Sequence, residues 1–372
     1  MFLTATNLVH FLIAKKLVDL STIVDSDFSV LELGRRNRNF QVSLGLSTGL
    51  FVKQSKASDA LSLATFKREM DCYALAQQFP AWHALLAPLK NLDYDRHSIV
   101  LELIANSESL TQYHWRIRRF SPLIAEKLAH ALSQFHVNVK LDDLSAEQLR
   151  QYPQKTLWIL DLIELPNSAS GGAQQMFRFM QQHSAFRAGM QSLKQNWQFD
   201  CLIHGDMKWD NCLVHPDVQQ QPRLTLIDWE LIDVGDAHWD VAGLLHSFFV
   251  FWFESELRRA DMNEVKNITE LLVRENEGQT GLRQSLWAFW RAYQRGIGRS
   301  ERDRLALVRV FGFVSARLVL TCYEGVCQTK EMSLSMSLIL QLAAEMFRDS
   351  DRLVQHWLPQ IENLGDAGAE HA

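Results

Sequence analysis

Two short apolar runs, Cys201–Ile203 and Leu224–Ile227, each end in a cluster of oxygen-bearing side chains. His204, Asp206, Asp210 and Asn211 follow the first, and Asp228 and Glu230 follow the second. The runs are compact, branched and bounded by polar turns, which predicts strands. Carboxylates at the ends of apolar strands are costly to bury unless they face solvent, a metal or a partner. Here they recur as a set. Asp206 precedes the amide of Asn211 by five positions, and Asp228 follows on what reads as a strand paired with the first. That is equipment for phosphoryl transfer, in which a base accepts a hydroxyl proton and hard oxygen ligands hold magnesium on nucleotide phosphates. A hydrolytic metal site fits less well, because HGD and IDWE lack a histidine pair at ligand spacing.

The elements that must position these groups follow in chain order. A short amphipathic helix over Asn7–Leu20 leads into three strands, Val30–Leu33, Phe40–Leu44 and Leu50–Lys53, an antiparallel meander ending in Lys53. GRRNRN (Gly34–Asn39) joins the first two strands, and a turn around Leu46–Thr48 joins the second to the third. The next helical segment, Leu63–Phe79, carries Glu69, sixteen residues beyond Lys53. His97–Leu103 reads as a further strand, and IANSESL (Ile104–Leu110) as a short polar hinge. A long apolar-periodic helix from Ser121 to about Val137 ends in Phe135-His136, and mixed helix and turns fill Leu141–Asn167. SASGGA (Ser168–Ala173) reads as a flexible break, and Gln174–Gln195 as one helix leading into the first catalytic strand. Beyond the catalytic stretch the pattern is helical to about Gln360. The rings of Phe248, Phe249, Phe251, Trp252, Phe253, Trp287, Phe289, Trp290 and Tyr293 admit two readings, buried helix packing or the wall of an acceptor pocket.

With these residues in hand, the chain resembles the aminoglycoside phosphotransferase and choline kinase group of kinase-like enzymes. The resemblance rests on HGDxxxDN (His204–Asn211), an apolar strand ending in Asp228 twenty-two residues after Asp206, and GDxxxD (Gly235–Asp240). It implies an α+β, bilobal protein-kinase-like fold. A small antiparallel-sheet N-lobe would span 1–103, a hinge 104–110, a large, mainly helical C-lobe 111–360 and a frayed tail 361–372. It implies Asp206 as catalytic base and Lys208 on the transferred phosphoryl group. Asn211 and Asp228 would be magnesium ligands, Lys53 would hold the α/β phosphates and Glu69 would orient Lys53. Adenine would bond to the backbone around Glu102–Ile104. The group usually carries a glycine-rich phosphate turn where this chain has Gly34 followed by arginines. Gly34 alone cannot cradle phosphate in the same way, and the arginines read as either phosphate contacts or a solvated hairpin tip. His136 and His204 are expected to be structural; Asp236 and Asp240 resemble the group's second acidic signature, and Asp240 is expected to be mainly structural, bonding loop amides near the catalytic turn. Asp210 and Glu230 stay open between supporting the ligands and meeting the substrate.

A chain of 372 residues with 47% hydrophobic and 22% charged side chains is long and apolar enough for a two-lobed globular core. A net charge of −5 leaves no basic footprint for nucleic acid. The five cysteines form no CxxC pair, which suggests reduced thiols and a cytoplasmic protein. The N-terminal residues lack the order of a signal peptide, and the richest apolar run, Val241–Phe253, is broken by His246 and ends at Glu254, so no membrane span is expected. Only LIDV (Leu231–Val234) separates IDWE from GDAHWD, which leaves no long segment to dock a polypeptide. The expected function is ATP- and Mg2+-dependent transfer of the γ-phosphoryl group to a hydroxyl of a small molecule. The alternative is a non-catalytic nucleotide-binding regulatory protein on the same scaffold. Aminoglycosides, choline or ethanolamine, homoserine, thiosugars and lipid-linked acceptors all occur in the resembled group. The acceptor, the choice of ATP or GTP and the oligomeric state are left open.

Overall fold

The computed structural model describes residues 2–25, 27–34, 37–45, 48–56, 59–162, 169–215, 222–259, 267–272 and 276–363. The chain forms two compact units, one of residues 1–113, 145–152 and 210–232, the other of 114–144, 153–209 and 233–372. The segments 145–152 and 210–232 return to the first unit, so the division does not follow a single cut between 103 and 111. Asn211 and Asp228 thereby join the unit of Lys53 and Glu69.

The strands are β1 (Phe28–Gly34), β2 (Arg38–Leu44), β3 (Gly49–Gln54), β4 (Leu89–Asp93), β5 (Ser98–Glu102), β6 (Glu108–Ser109), β7 (Cys201–Ile203), β8 (Cys212–His215), β9 (Arg223–Leu226) and β10 (Asp233–Gly235). In the first unit five of them form an antiparallel sheet in the order β1-β2-β3-β5-β4. The first three strands and β5 are those expected. β4 was not legible, because LKNLD has few β-formers and is irregular at Leu89–Asn91; it is a strand through its pairing with β5. The expected helix over Asn7–Leu20 divides into α1 (Ala5–Ala14) and α2 (Leu20–Asp25), since Lys16 turns left-handed at φ 57° and ends α1. Leu8, Phe11 and Leu12 of α1 share a core with Phe40, Val42, Leu50, Val52 and Val100. Strand alternation then turns Lys53, opposite Asn39 and Ile99 in the ladder, to the other face of the sheet. Helix α3 (Ala60–Ala76), capped by Asp59, brings Glu69 to Lys53.

A smaller sheet in the same unit has the order β6-β8-β9. This corrects the expected pairing of the two carboxylate-bearing strands with each other. β9 pairs with β8, and β7 pairs with β10 in the second unit. β9 finds its nearest neighbour along the chain, whereas β7 passes over β8 and β9 to reach β10.

The second unit is mainly helical. It holds the long helices Pro122–Asn138, Ala237–Arg259, Glu277–Gly296, Arg304–Val326 and Leu334–Arg348. Phe248, Phe249, Phe251, Trp252, Phe253, Phe289, Trp290 and Tyr293 are all buried among the helices, and Trp287 is half-buried. Arg304–Val326 is, by length and composition, apolar enough to cross a membrane, which corrects the expectation that no run reaches that length. Some 67% of its most apolar window is buried, as in a core helix, and Arg309 and Arg317 on it pair with Asp236 and Asp206. The expected single helix over Gln174–Gln195 is two, Gly171–Gln182 and Ser184–Gln195, parted at His183.

The expected flexible break at SASGGA also needs correction over its described part, 169–173. Ser170 caps the helix Gly171–Gln182 by accepting from the Ala173 amide at 3.1 Å, and its hydroxyl donates to the Val326 carbonyl. The glycines serve close approach: a Cβ on Gly171 would lie 2.1 Å from the Lys330 carbonyl oxygen. Gly171→Ala should therefore destabilise the protein by about 1–3 kcal/mol despite alanine's better helix propensity. A lower chemical-denaturation midpoint checks this; an unchanged one would show that the Lys330 segment yields freely.

Candidate active site

In the first unit the Lys53 ammonium is buried between two carboxylates, 2.6 Å from Glu69 Oε2 and 2.6 Å from Asp228 Oδ1. A surface position for either Lys53 or Glu69 is excluded, since they are only 7% and 2% exposed. Burial works to lower the Lys53 pKa, but the charges of Glu69 and Asp228 outweigh it and hold it above its ordinary value. Burial pushes Glu69 up to about 7, against the pull of Lys53 and with the help of Asp228 and Glu230.

The ladder between β8 and β9 brings the magnesium-ligand candidates together. Cys212 pairs with Leu226, and the Ile227 amide donates to the Asn211 carbonyl at 3.0 Å, so Asn211 and Asp228 emerge at the same end of two adjacent strands. Asp228 itself is left-handed, φ 68° and ψ 54°, a conformation that an aspartate tolerates better than most residues. Ligand atoms of Glu69, Asp228 and Glu230 all lie within 4.8 Å of one another. With the amide of Asn211, this is a hard-oxygen donor set that fits magnesium. Glu230, left open from sequence, belongs to this cluster.

The HGD loop lies in the second unit, where Asp240 organises it. This fully buried carboxylate accepts the His204 amide at 2.6 Å and the Gly205 amide at 3.0 Å. His136 Nε2 lies 3.3 Å from Asp240 Oδ2, and its Nδ1 lies 2.9 Å from the Tyr293 hydroxyl. A carboxylate can only accept here, so His136 donates through Nε2 to Asp240. Burial works to raise the Asp240 pKa, but the His136 bond and the charges of His136 and His204 outweigh it and hold it below the ordinary carboxylate range. Gly205 has φ 82°, and its carbonyl accepts from Trp239 Nε1 at 2.7 Å. Asp236 accepts from the His238 amide at 3.0 Å and pairs with Arg309. Asp240 thus bonds loop amides, as expected, with His136 beside it.

Asp206, in the turn that Asp240 holds, has one oxygen 2.6 Å from Lys208 Nζ and the other 3.7 Å from Arg317 Nη1. Gly243 makes room at this point, since a Cβ there would lie 2.0 Å from the Met207 carbonyl oxygen and 2.8 Å from Arg317 Cζ.

Gly34 ends β1 opposite Arg38, a Cβ on it would meet nothing within 4 Å, and its φ is not left-handed, so nothing described requires glycine there. Arg35 and Arg36, at the expected phosphate turn, lie outside the described residues. Arg38 is committed elsewhere, donating to the Leu3 carbonyl at 3.1 Å and lying over the Phe2 ring. At the expected adenine stretch, the Glu102 amide donates to the Pro88 carbonyl and the Leu103 amide to Gly49, while the Ile104 carbonyl accepts from Ser107. Arg317, Tyr293 and Gly243 were missed from sequence, because helices distant in the chain deliver them. A lone arginine inside the apolar run FGFVSARLVL was the available signal for Arg317.

Two stability effects follow. Asp240→Asn should cost about 3 kcal/mol at pH 7, because two buried amides lose a charged acceptor. A folded-state pKa held low makes this stability present above the unfolded pKa, near 4, and lost as pH falls through the folded value. The gap between wild type and variant in urea denaturation should therefore close on acidification below about pH 4; a pH-independent gap would refute it. Gly243→Ala should lower the melting temperature, because the gain of about 1 kcal/mol in helix propensity is smaller than the clash with Met207 and Arg317. A raised melting temperature would contradict that.

Residues 27–269 match the phosphotransferase enzyme family. Among curated proteins, acyl-CoA dehydrogenase family member 11 of Rattus norvegicus is 38% identical over 63 residues, 17% of this chain and 8% of that protein. The protein of the same name from Pongo abelii is 27% identical over 180 residues, 47% of this chain and 21% of that protein. The chain thus spans about a fifth or less of the length of these relatives. Among solved structures, the ethanolamine kinase of Plasmodium vivax superposes with a TM-score of 0.55 at 14% identity, covering 98% of this chain and 91% of that one. The GDP complex of aminoglycoside 2'-phosphotransferase-IIIa gives 0.52 at 16%, covering 94% and 100%. The α+β, kinase-like fold is shared with these enzymes, and the chain belongs to the phosphotransferase enzyme family.

Proposed function

We propose that this chain transfers the γ-phosphoryl group of ATP to a hydroxyl of a small-molecule acceptor in the presence of magnesium. The observation that carries the reading is the buried Lys53 ammonium between Glu69 and Asp228, in a chain of the phosphotransferase family. A cation held at this cost serves an anion that arrives later. Lys53 takes the α/β phosphates, with Glu69 fixing its position. Magnesium, held by Asp228 and Asn211 with Glu230 beside them, supplies charge neutralisation on the phosphate oxygens when bound. Adenine pairing falls to the Ile104 amide, because the Glu102 and Leu103 amides before it are engaged.

Asp206 accepts the acceptor's hydroxyl proton as that oxygen bonds to the γ-phosphorus and the bond to the bridging oxygen of ADP breaks. Lys208, 42% exposed at its side chain, can leave Asp206 for the transferred group. The names of the solved neighbours, an ethanolamine kinase and an aminoglycoside 2'-phosphotransferase, support a small hydroxyl-bearing acceptor, and the GDP complex of the latter makes GTP the competing donor.

The test is ADP or GDP release from magnesium–nucleotide across a library of hydroxyl metabolites. At least one acceptor should raise turnover, chelation of magnesium should abolish it, and Asp206→Ala and Asp228→Ala should each lower kcat by about 100-fold or more. Nucleotide binding with no turnover would favour the regulatory alternative, and no nucleotide binding at all would sink both readings.

A further inference from the structure

Arg317 meets the HGD loop, and neither the motifs nor the proposed reaction requires it. It comes from the helix Arg304–Val326, far along the chain, and is buried. Its Nη1 lies 3.7 Å from Asp206 Oδ1, its Nη2 lies 3.5 Å from the Gly205 carbonyl oxygen, and its Cζ lies 3.9 Å from the centre of the Trp239 ring. The guanidinium therefore touches the backbone before the base and the carboxylate of the base together. Trp239 fixes it from one side and also bonds that same carbonyl. Gly243 clears the space on the helix Ala237–Arg259, where any side chain would meet Arg317 Cζ at 2.8 Å.

The two cations on Asp206 differ in their freedom. The Lys208 side chain is 42% exposed and that of Arg317 is 4% exposed. An exposed lysine pair is worth little and exchanges readily with water or phosphate. A buried guanidinium cannot leave its carboxylate without an uncompensated charge remaining behind.

We propose that Arg317 is the positioning residue of the general base. It holds Asp206 through Oδ1 and fixes the carboxylate plane, so that Oδ2, covered by Lys208 when no phosphate is present, is the oxygen that takes the hydroxyl proton. The proposal rests on the reading of Asp206 as base. It needs the planar fork of arginine rather than charge alone, because Nη1 and Nη2 address different partners.

A double-mutant cycle tests it, with magnesium-dependent ATP turnover to water as the readout. Arg317→Lys and Arg317→Met should each lower kcat about tenfold, with KM for ATP changed by no more than about twofold. In an Asp206→Asn background, neither should add more than about a twofold loss, because there is then no base to position. If Arg317→Met does not fold, Arg317→Lys alone completes the cycle. Wild-type kcat in Arg317→Lys, a loss carried by KM, or a loss that persists in full in the Asp206→Asn background would each overturn the proposal. Asp206→Asn with wild-type turnover would instead overturn the reading of Asp206 as base, which separates the two failures.

Discussion

The second unit turns on one buried carboxylate. Asp240 sits in the first turn of the helix Ala237–Arg259, where the unsatisfied amides of a helix N-terminus favour negative charge. It accepts from two consecutive loop amides and from His136, so its burial is compensated on every side the structure describes. The conformation of HGD follows from this. With the His204 and Gly205 amides fixed, Gly205 adopts positive φ and its carbonyl turns toward Trp239 and Arg317. Asp206 then leaves the turn in one direction. Tyr293 extends the same logic outward, because its hydroxyl bonds the other ring nitrogen of His136 and so fixes the orientation of the imidazole.

The first unit solves the inverse problem. There a cation is buried and the acids surround it. Strand alternation puts Lys53 on the face away from the α1 core, and α3 supplies Glu69 there as compensation. Asp228 reaches the same ammonium from the end of a separate ladder, with its backbone in a left-handed conformation. Mutual dependence is the result. Each carboxylate is tolerable because of Lys53, and Lys53 is tolerable because of both. A phosphate arriving with its own metal would meet groups already oriented, which is the form that electrostatic preorganisation takes.

The parts legible from sequence were those whose chemistry is local. HGDxxxDN and GDxxxD place their groups within a few residues of one turn, so spacing alone identifies them. The meander was legible because branched strands alternate with turns, although β4, with two leucines among polar residues, was not. Glycine misled at SASGGA, since the same residue serves both freedom and close approach, and only the Lys330 carbonyl distinguishes the two. The end of α1 at Lys16 left no signal, because a left-handed lysine has no sequence signature.

What sequence hid was the bracing. Arg317, Tyr293 and Gly243 come from three helices whose apolar patterns say only that they are buried. Yet burial itself constrains their polar members. Ser315 and Arg317 interrupt an otherwise apolar stretch, and a buried arginine without a carboxylate is too costly to keep. The motif carboxylates held near the core are natural candidates for that partner. Here Asp206 and Asp236 are the two that receive Arg317 and Arg309 from the same helix.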